Sequence, residues 1–195
     1  MENICVFGAG SRSLNEAFLE DAYALGRALA QNGYGLVFGG GKTGLMGQVA
    51  LAAHENGAVS IKGIAPAFMN VPGVLFEHCD ELILTETMHE RKQMMEAVSD
   101  AFVVLPGGAG TFEEFFEVLT QKNLGLHKKA IILLNTNGFF DPVVELLREM
   151  AAGHFMPSAC LSAILVAKSP KEAIGHLDTY EYKDIAPKWL LYKEE

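Results

Sequence analysis

Short apolar runs alternate with segments of helical period from one end of the chain to the other. The runs Ile4 to Gly8, Gly35 to Phe38, Val59 to Ile64, Glu81 to Leu84, Ala101 to Leu105, Ala130 to Leu134 and Ala163 to Val166 have the length and bounding residues of strands. Between them, apolar spacing predicts helices near Leu14 to Gln31, Leu45 to Asn56, Met88 to Ser99, Thr111 to Asn123, Asp141 to Ala152 and Pro170 to Leu177. Asp141-Pro142 reads as a helix start, an N-cap acid followed by proline at the first helical position. This alternation predicts βαβ units, hence an α/β fold whose mostly parallel sheet carries helices on both faces, in one domain over residues 1–195. In such sheets ligands sit beyond the carboxyl ends of the strands. All three glycine-rich segments, Gly8 to Ser11, Gly39 to Gly47 and Gly107 to Gly110, fall there.

Composition narrows the possibilities. The 195 residues are 50% hydrophobic and 20% charged, as expected of a globular chain. A formal charge of −9 argues against a general binder of nucleic acid or anionic membrane, although a local site for a small anion is compatible with it. No apolar run approaches the roughly 18 residues of a membrane helix. The start Met1-Glu2-Asn3-Ile4 is acidic, unlike a signal peptide, and Cys5, Cys79 and Cys160 are scattered. A cytoplasmic protein with reduced thiols is the expectation. The stretch from Ala65 to Phe76 is apolar for a surface loop, and is expected to line a pocket or a subunit contact. The tail from Pro187 through Tyr192 reads as docked rather than free.

The densest chemical signal is Pro106-Gly107-Gly108-Ala109-Gly110-Thr111-Phe112-Glu113-Glu114. It joins the run ending at Leu105 to an amphipathic helix. Glycines let the backbone approach a ligand closely, and the unpaired N–H groups of a helix start then suit a phosphate. Thr111-x-x-Glu114 is also a capping box, with Thr111 as cap and Glu114 folding back. A cap alone does not need three glycines upstream. A ligand loop is therefore the favoured reading.

A second signal lies on the helix near Met88. Met88, Arg91, Met95 and Val98 share one face, so Arg91 interrupts an apolar stripe. A buried guanidinium demands an anionic partner, either a carboxylate or a ligand. At the stripe's edge it would instead snorkel to solvent.

Other motifs fail. Gly8-Ala9-Gly10-Ser11-Arg12-Ser13 has Ser13 where a dinucleotide fingerprint needs glycine or alanine, and no acid ends the second strand. Gly39-Gly40-Gly41-Lys42-Thr43 has Leu36 at the leading glycine position of a P-loop. The six histidines lack zinc spacing, and no Gly-x-Ser-x-Gly elbow is present. Neither a metal nor an organic cofactor is expected.

Three blocks in the same order, Gly39 to Gly47, Met88 to Lys92 and Pro106 to Glu114, resemble the LONELY GUY (LOG) family of cytokinin riboside 5′-monophosphate phosphoribohydrolases, whose members are often mislabelled lysine decarboxylases. The last block fits the family pattern Pro-Gly-Gly-x-Gly-Thr-x-x-Glu in full. The resemblance implies a Rossmann-like homodimer that hydrolyses the N-glycosidic bond of a nucleoside 5′-monophosphate such as AMP or isopentenyl-AMP. It implies Arg91 and Glu114 as catalytic residues. For substrate binding it implies Met88, Lys92, Gly107, Gly108, Ala109, Gly110 and Thr111, with Thr120 and Gly44 as further contacts. Phe7-Gly8-Ala9-Gly10-Ser11 departs from the Cys-Gly-Ser-Ser usual in plant members. The competing reading is a non-catalytic carrier on the same fold, such as the molybdenum-cofactor carriers. A pyridoxal-phosphate decarboxylase is disfavoured, since no lysine sits in a recognisable cofactor motif.

Overall fold

The computed structural model describes residues 2–183; the tail segment from Pro187 to Tyr192 lies outside them. Seven strands form one sheet: β1 (Asn3–Phe7), β2 (Gly35–Phe38), β3 (Ile61–Pro66), β4 (Glu81–Thr85), β5 (Ala101–Val104), β6 (Ala130–Leu134) and β7 (Leu165–Ala167). Six α-helices alternate with them: α1 (Glu16–Gln31), α2 (Gly44–Glu55), α3 (Met88–Ala97), α4 (Ala109–Asn123), α5 (Asp141–Ala152) and α6 (Pro170–Asp178). The strand order is β4-β3-β2-β1-β5-β6-β7, and every pairing is parallel. This is a Rossmann-like arrangement. Among the described residues no helix is long and apolar enough to cross a membrane.

The period of two along each strand sorts the core into two layers. Ile4, Val6, Leu36, Phe38, Ala101, Val103, Ile132 and Leu134 face one way, against Leu25 and Leu29 of α1, Val49 of α2 and Ile174 of α6. Cys5, Phe7, Val37, Phe102, Val104, Ile131 and Leu133 face the other, against Met95 of α3, Phe115 and Val118 of α4 and Leu147 of α5. Central strands covered on both faces read as unbroken apolar runs, and these do.

Element boundaries shift where a polar group intervenes. The third strand begins at Ile61 rather than Val59, because the Asp80 carboxylate accepts the Ile61 N–H at 2.7 Å as the ladder starts. Asp141 is the first residue of α5, not its N-cap. Phe140 holds the cap position, and Asn135 accepts the Phe140 N–H at 2.7 Å while its own amide donates to Asp141 at 2.7 Å. The last strand starts two residues late because Ser158–Ala163 coils into a 3-10 turn.

The chain leaves β1 toward β2 on one side, and β5 lies on the other. That reversal of order opens a crevice above the carboxyl ends of β1 and β5.

Candidate active site

The crevice is a cleft of about 390 Å³ walled by all three glycine-rich segments and the first turns of α3 and α4. The loop after β1 contributes Gly8, Ala9, Gly10 and Ser11; the loop after β2 contributes Gly39 and Gly41; Gly108, just before α4, is joined by Gly110, Thr111, Glu113 and Glu114 from the start of that helix. Met46, Met69, Met88 and Arg91 complete it. Met69 comes from the apolar stretch expected to line a pocket.

The helix α4 begins two residues earlier than Thr111, with Gly108 as N-cap and no side chain capping it. The capping-box reading of Thr111 and Glu114 is thereby excluded. Thr111 is instead the third residue of the helix, buried, with its hydroxyl against the Cα of Gly107; a side chain on residue 107 would overlap that hydroxyl. The first N–H groups of α4 have no intrahelical acceptor, and Gly108, Gly110 and Thr111 line the cleft. They form a site suited to a phosphate. A capping box does occur one helix earlier, where Thr87 accepts the Glu90 N–H at 3.1 Å and Glu90 accepts that of Thr87 at 3.3 Å.

Glu114 turns away from its own helix end and meets Arg91. Arg91 Nη1 donates to Glu114 Oε1 at 2.9 Å, and Arg91 Nε donates to the carbonyl oxygen of Ile64 at 3.0 Å. The two side chains are 7% and 10% exposed, so Arg91 does not snorkel. Of its five N–H groups, three have no acceptor among the described residues, and Arg91 lines the cleft. Burial pushes the Glu114 carboxyl above the ordinary carboxylate value, and the adjacent guanidinium pulls it part of the way back.

Not every expected contact gathers here. Lys92 points along α4, with its ammonium held between Glu113 and Glu117, the latter at 2.6 Å. It clasps α3 to α4 beside the Arg91–Glu114 pair. Thr120 is exposed further along α4, away from the cleft wall. Ala109 belongs to the first turn of α4 without lining the cleft. Gly44 has φ +67°, and a Cβ there would overlap the carbonyl oxygen of Ala9. Its neighbour Leu45 donates its N–H to that same oxygen at 2.8 Å, and the Thr43 hydroxyl donates to Gly10 O at 2.7 Å. The P-loop-like segment therefore fastens one glycine loop to another.

Two contacts of Arg91 carried no sequence signal. Gly39, read only as part of a glycine-rich block, packs against the guanidinium of Arg91, and the Ile64 carbonyl anchors the same group. Both are backbone features of residues distant in sequence from Arg91, visible only after folding.

Fold and cleft together define an α/β protein of Rossmann-like topology whose cleft holds a guanidinium–carboxylate pair and an uncapped helix start. A family model described as possible lysine decarboxylase matches residues 46–177. The cytokinin riboside 5′-monophosphate phosphoribohydrolase of Rhodococcoides fascians is 37% identical over 174 residues, covering 89% of this chain and 88% of that protein. The rice enzyme of that name, LOG, is 37% identical over 177 residues, 91% of this chain and 73% of its own length. The chain belongs to the LONELY GUY family. Among solved structures, the molybdenum cofactor binding protein of Rippkaea orientalis superposes with a TM-score of 0.71 at 24% identity, covering 91% of this chain and 96% of that one. That likeness concerns the fold.

Proposed function

We propose that this protein hydrolyses the N-glycosidic bond of a purine, cytokinin-type nucleoside 5′-monophosphate, giving the free base and ribose 5-phosphate. The observation that carries the reading is the buried Arg91–Glu114 pair at 2.9 Å on the wall of a cleft that also holds the uncapped start of α4. The relatives named for this activity, at 37% identity across most of the chain, support it. The fold is shared with molybdenum-cofactor proteins and by itself does not choose between enzyme and carrier.

The phosphate binds at the N–H groups of Gly108 to Thr111, with the Thr111 hydroxyl beside it, and supplies binding energy remote from the reacting bond. As the C1′–N bond breaks, its electron pair leaves with the base and positive charge develops on the ribose. Glu114, ionised, faces that charge and orients a water toward C1′. One proton of the water stays on the new anomeric hydroxyl and the other ends on the base. Arg91 fixes the carboxylate and offers its remaining donors to the substrate.

The apolar side chains left exposed on the edge strand β4 and on α3 support a homodimer: Leu82 is 41% exposed, Leu84 43% and Met88 44%. A cytoplasmic setting is compatible with the composition. Incubation with AMP and isopentenyl-AMP, followed by chromatography of base and sugar phosphate, tests the activity. Release of both products in equal amounts is expected. Retention of nucleotide without turnover sinks the enzyme reading and favours a carrier.

A further inference from the structure

At the far end of α4 stands a second ionic feature that the reaction does not use. Lys122 lies in the last turn of that helix and is 2% exposed. Its ammonium donates to Ala163 O at 2.7 Å and to the Tyr180 hydroxyl oxygen at 3.0 Å, and sits 5.1 Å from the Tyr180 ring centroid. Every one of these partners is neutral. An ammonium has three N–H groups, so one is without an acceptor among the described residues, and the charge has no counter-ion there. Burial pulls its pKa down to about 8, which leaves it mostly protonated at neutral pH.

Beside it opens a cavity of about 320 Å³ that shares no lining residue with the catalytic cleft. The hydroxyls on its wall are already committed as donors: Ser162 to Ala159 O at 2.7 Å, Thr179 to Gly175 O at 2.7 Å and Tyr180 to Lys128 O at 3.0 Å. His176 Nε2 is buried without a hydrogen-bond partner, 3.9 Å from a Glu172 carboxylate oxygen. The groups left unspent are therefore donors, from Lys122, Lys183 and the Nε2–H form of His176. Two carboxylates stand against an anion here, Glu181 on the wall and Glu172 behind His176.

We infer that this cavity is a second binding site, for a small oxyanion, whose oxygens accept from Lys122, His176 and Lys183. Such a ligand offsets a buried charge that is otherwise costly to keep. Its charged group is a phosphate or a carboxylate; both present the oxygens these donors require. Lys122 and Glu114 are eight residues apart on one helix, about 12 Å along its axis, so the two sites are separate.

The test uses the full chain with ¹³C-labelled lysine, following the Lys122 ε-carbon signal while inorganic phosphate or acetate is added against sodium chloride of equal ionic strength. Lys122→Met identifies the signal, and where that variant fails to fold the low titration midpoint identifies it in the wild type. A saturable displacement by phosphate or acetate is expected. The His176→Gln, Lys183→Ser double variant, which leaves Lys122 in place, should weaken it about tenfold. Response to phosphate alone assigns a phosphate-bearing ligand, and response to acetate alone a carboxylate-bearing one. Displacement no larger than with chloride, or unchanged in the double variant, overturns the site and leaves Lys122 as a structural tie.

Discussion

Gly39 and Arg91 lie in contact across the cleft floor: a Cβ on residue 39 would overlap Nη2 of the guanidinium. The absence of a side chain there leaves the room that the guanidinium occupies while Nη1 donates to Glu114. Gly39→Ala is expected to displace the guanidinium and lower kcat by about tenfold or more, since small misplacements of catalytic groups are costly. Thermal unfolding together with base-release kinetics checks this. A variant with wild-type kcat removes Gly39 from any positioning role.

Glu114→Gln should lower turnover by about 10²–10⁴-fold, the range associated with a positioned acid or base. Nucleotide binding, measured by calorimetry, should largely persist because the helix start proposed to hold the phosphate is intact. Wild-type turnover in this variant would reduce Glu114 to an ion-pair partner.

Arg91→Ala leaves a buried carboxylate without its partner. The expected cost is about 3–5 kcal/mol of stability, read from denaturant unfolding, together with loss of activity. Arg91→Met with Glu114→Gln in the same chain should recover part of that stability and none of the activity. If the single variant unfolds like the wild type, the pair carries little of the fold.

Acid pH should move activity and stability in opposite directions. Burial holds the folded Glu114 carboxyl above its unfolded value, so the folded state binds the extra proton between the two. Across that window stability contributed by Glu114 falls as pH rises, while kcat/KM rises as the carboxylate forms. The pH profile of kcat/KM, set beside the difference in unfolding free energy between wild type and Glu114→Gln, measures both slopes. Parallel slopes would contradict the assignment.

Lys122 gives the reverse sign at alkaline pH. Its folded pKa of about 8 lies below the ordinary lysine value of 10.5, so the unfolded chain binds more protons between them. In phosphate-free chloride buffer the wild type should gain stability relative to Lys122→Met as pH rises from about 8 to 10.5, by up to roughly 3 kcal/mol. A flat difference means that the ammonium is not desolvated.

The strand–helix alternation was legible because burial on both faces leaves an unbroken apolar run for each central strand, and Ile4 to Phe7 or Ile131 to Leu134 can be read without coordinates. The glycine loop before α4 and the misplaced cation at Arg91 were legible for a related reason: each breaks a local rule, and such breaks mark functional positions. Local sequence left Thr111 and Glu114 with two roles, cap or ligand site. The cap was removed by the helix start at Gly108 and by Arg91, which takes the Glu114 carboxylate from 23 residues away.

The chain by itself thus determined the layer order of the fold, the place of the cleft at the strand ends and the need of Arg91 for an anionic partner, since all three follow from local periodicity and residue type. The folded structure alone decided which groups meet. It turned Lys92 toward Glu113 and Glu117, put Gly44 beneath Ala9, laid Gly39 against Arg91 and buried Lys122 beside an open cavity. Those are contacts between separate elements, fixed by sheet order and helix packing, and no spacing along one segment encodes them.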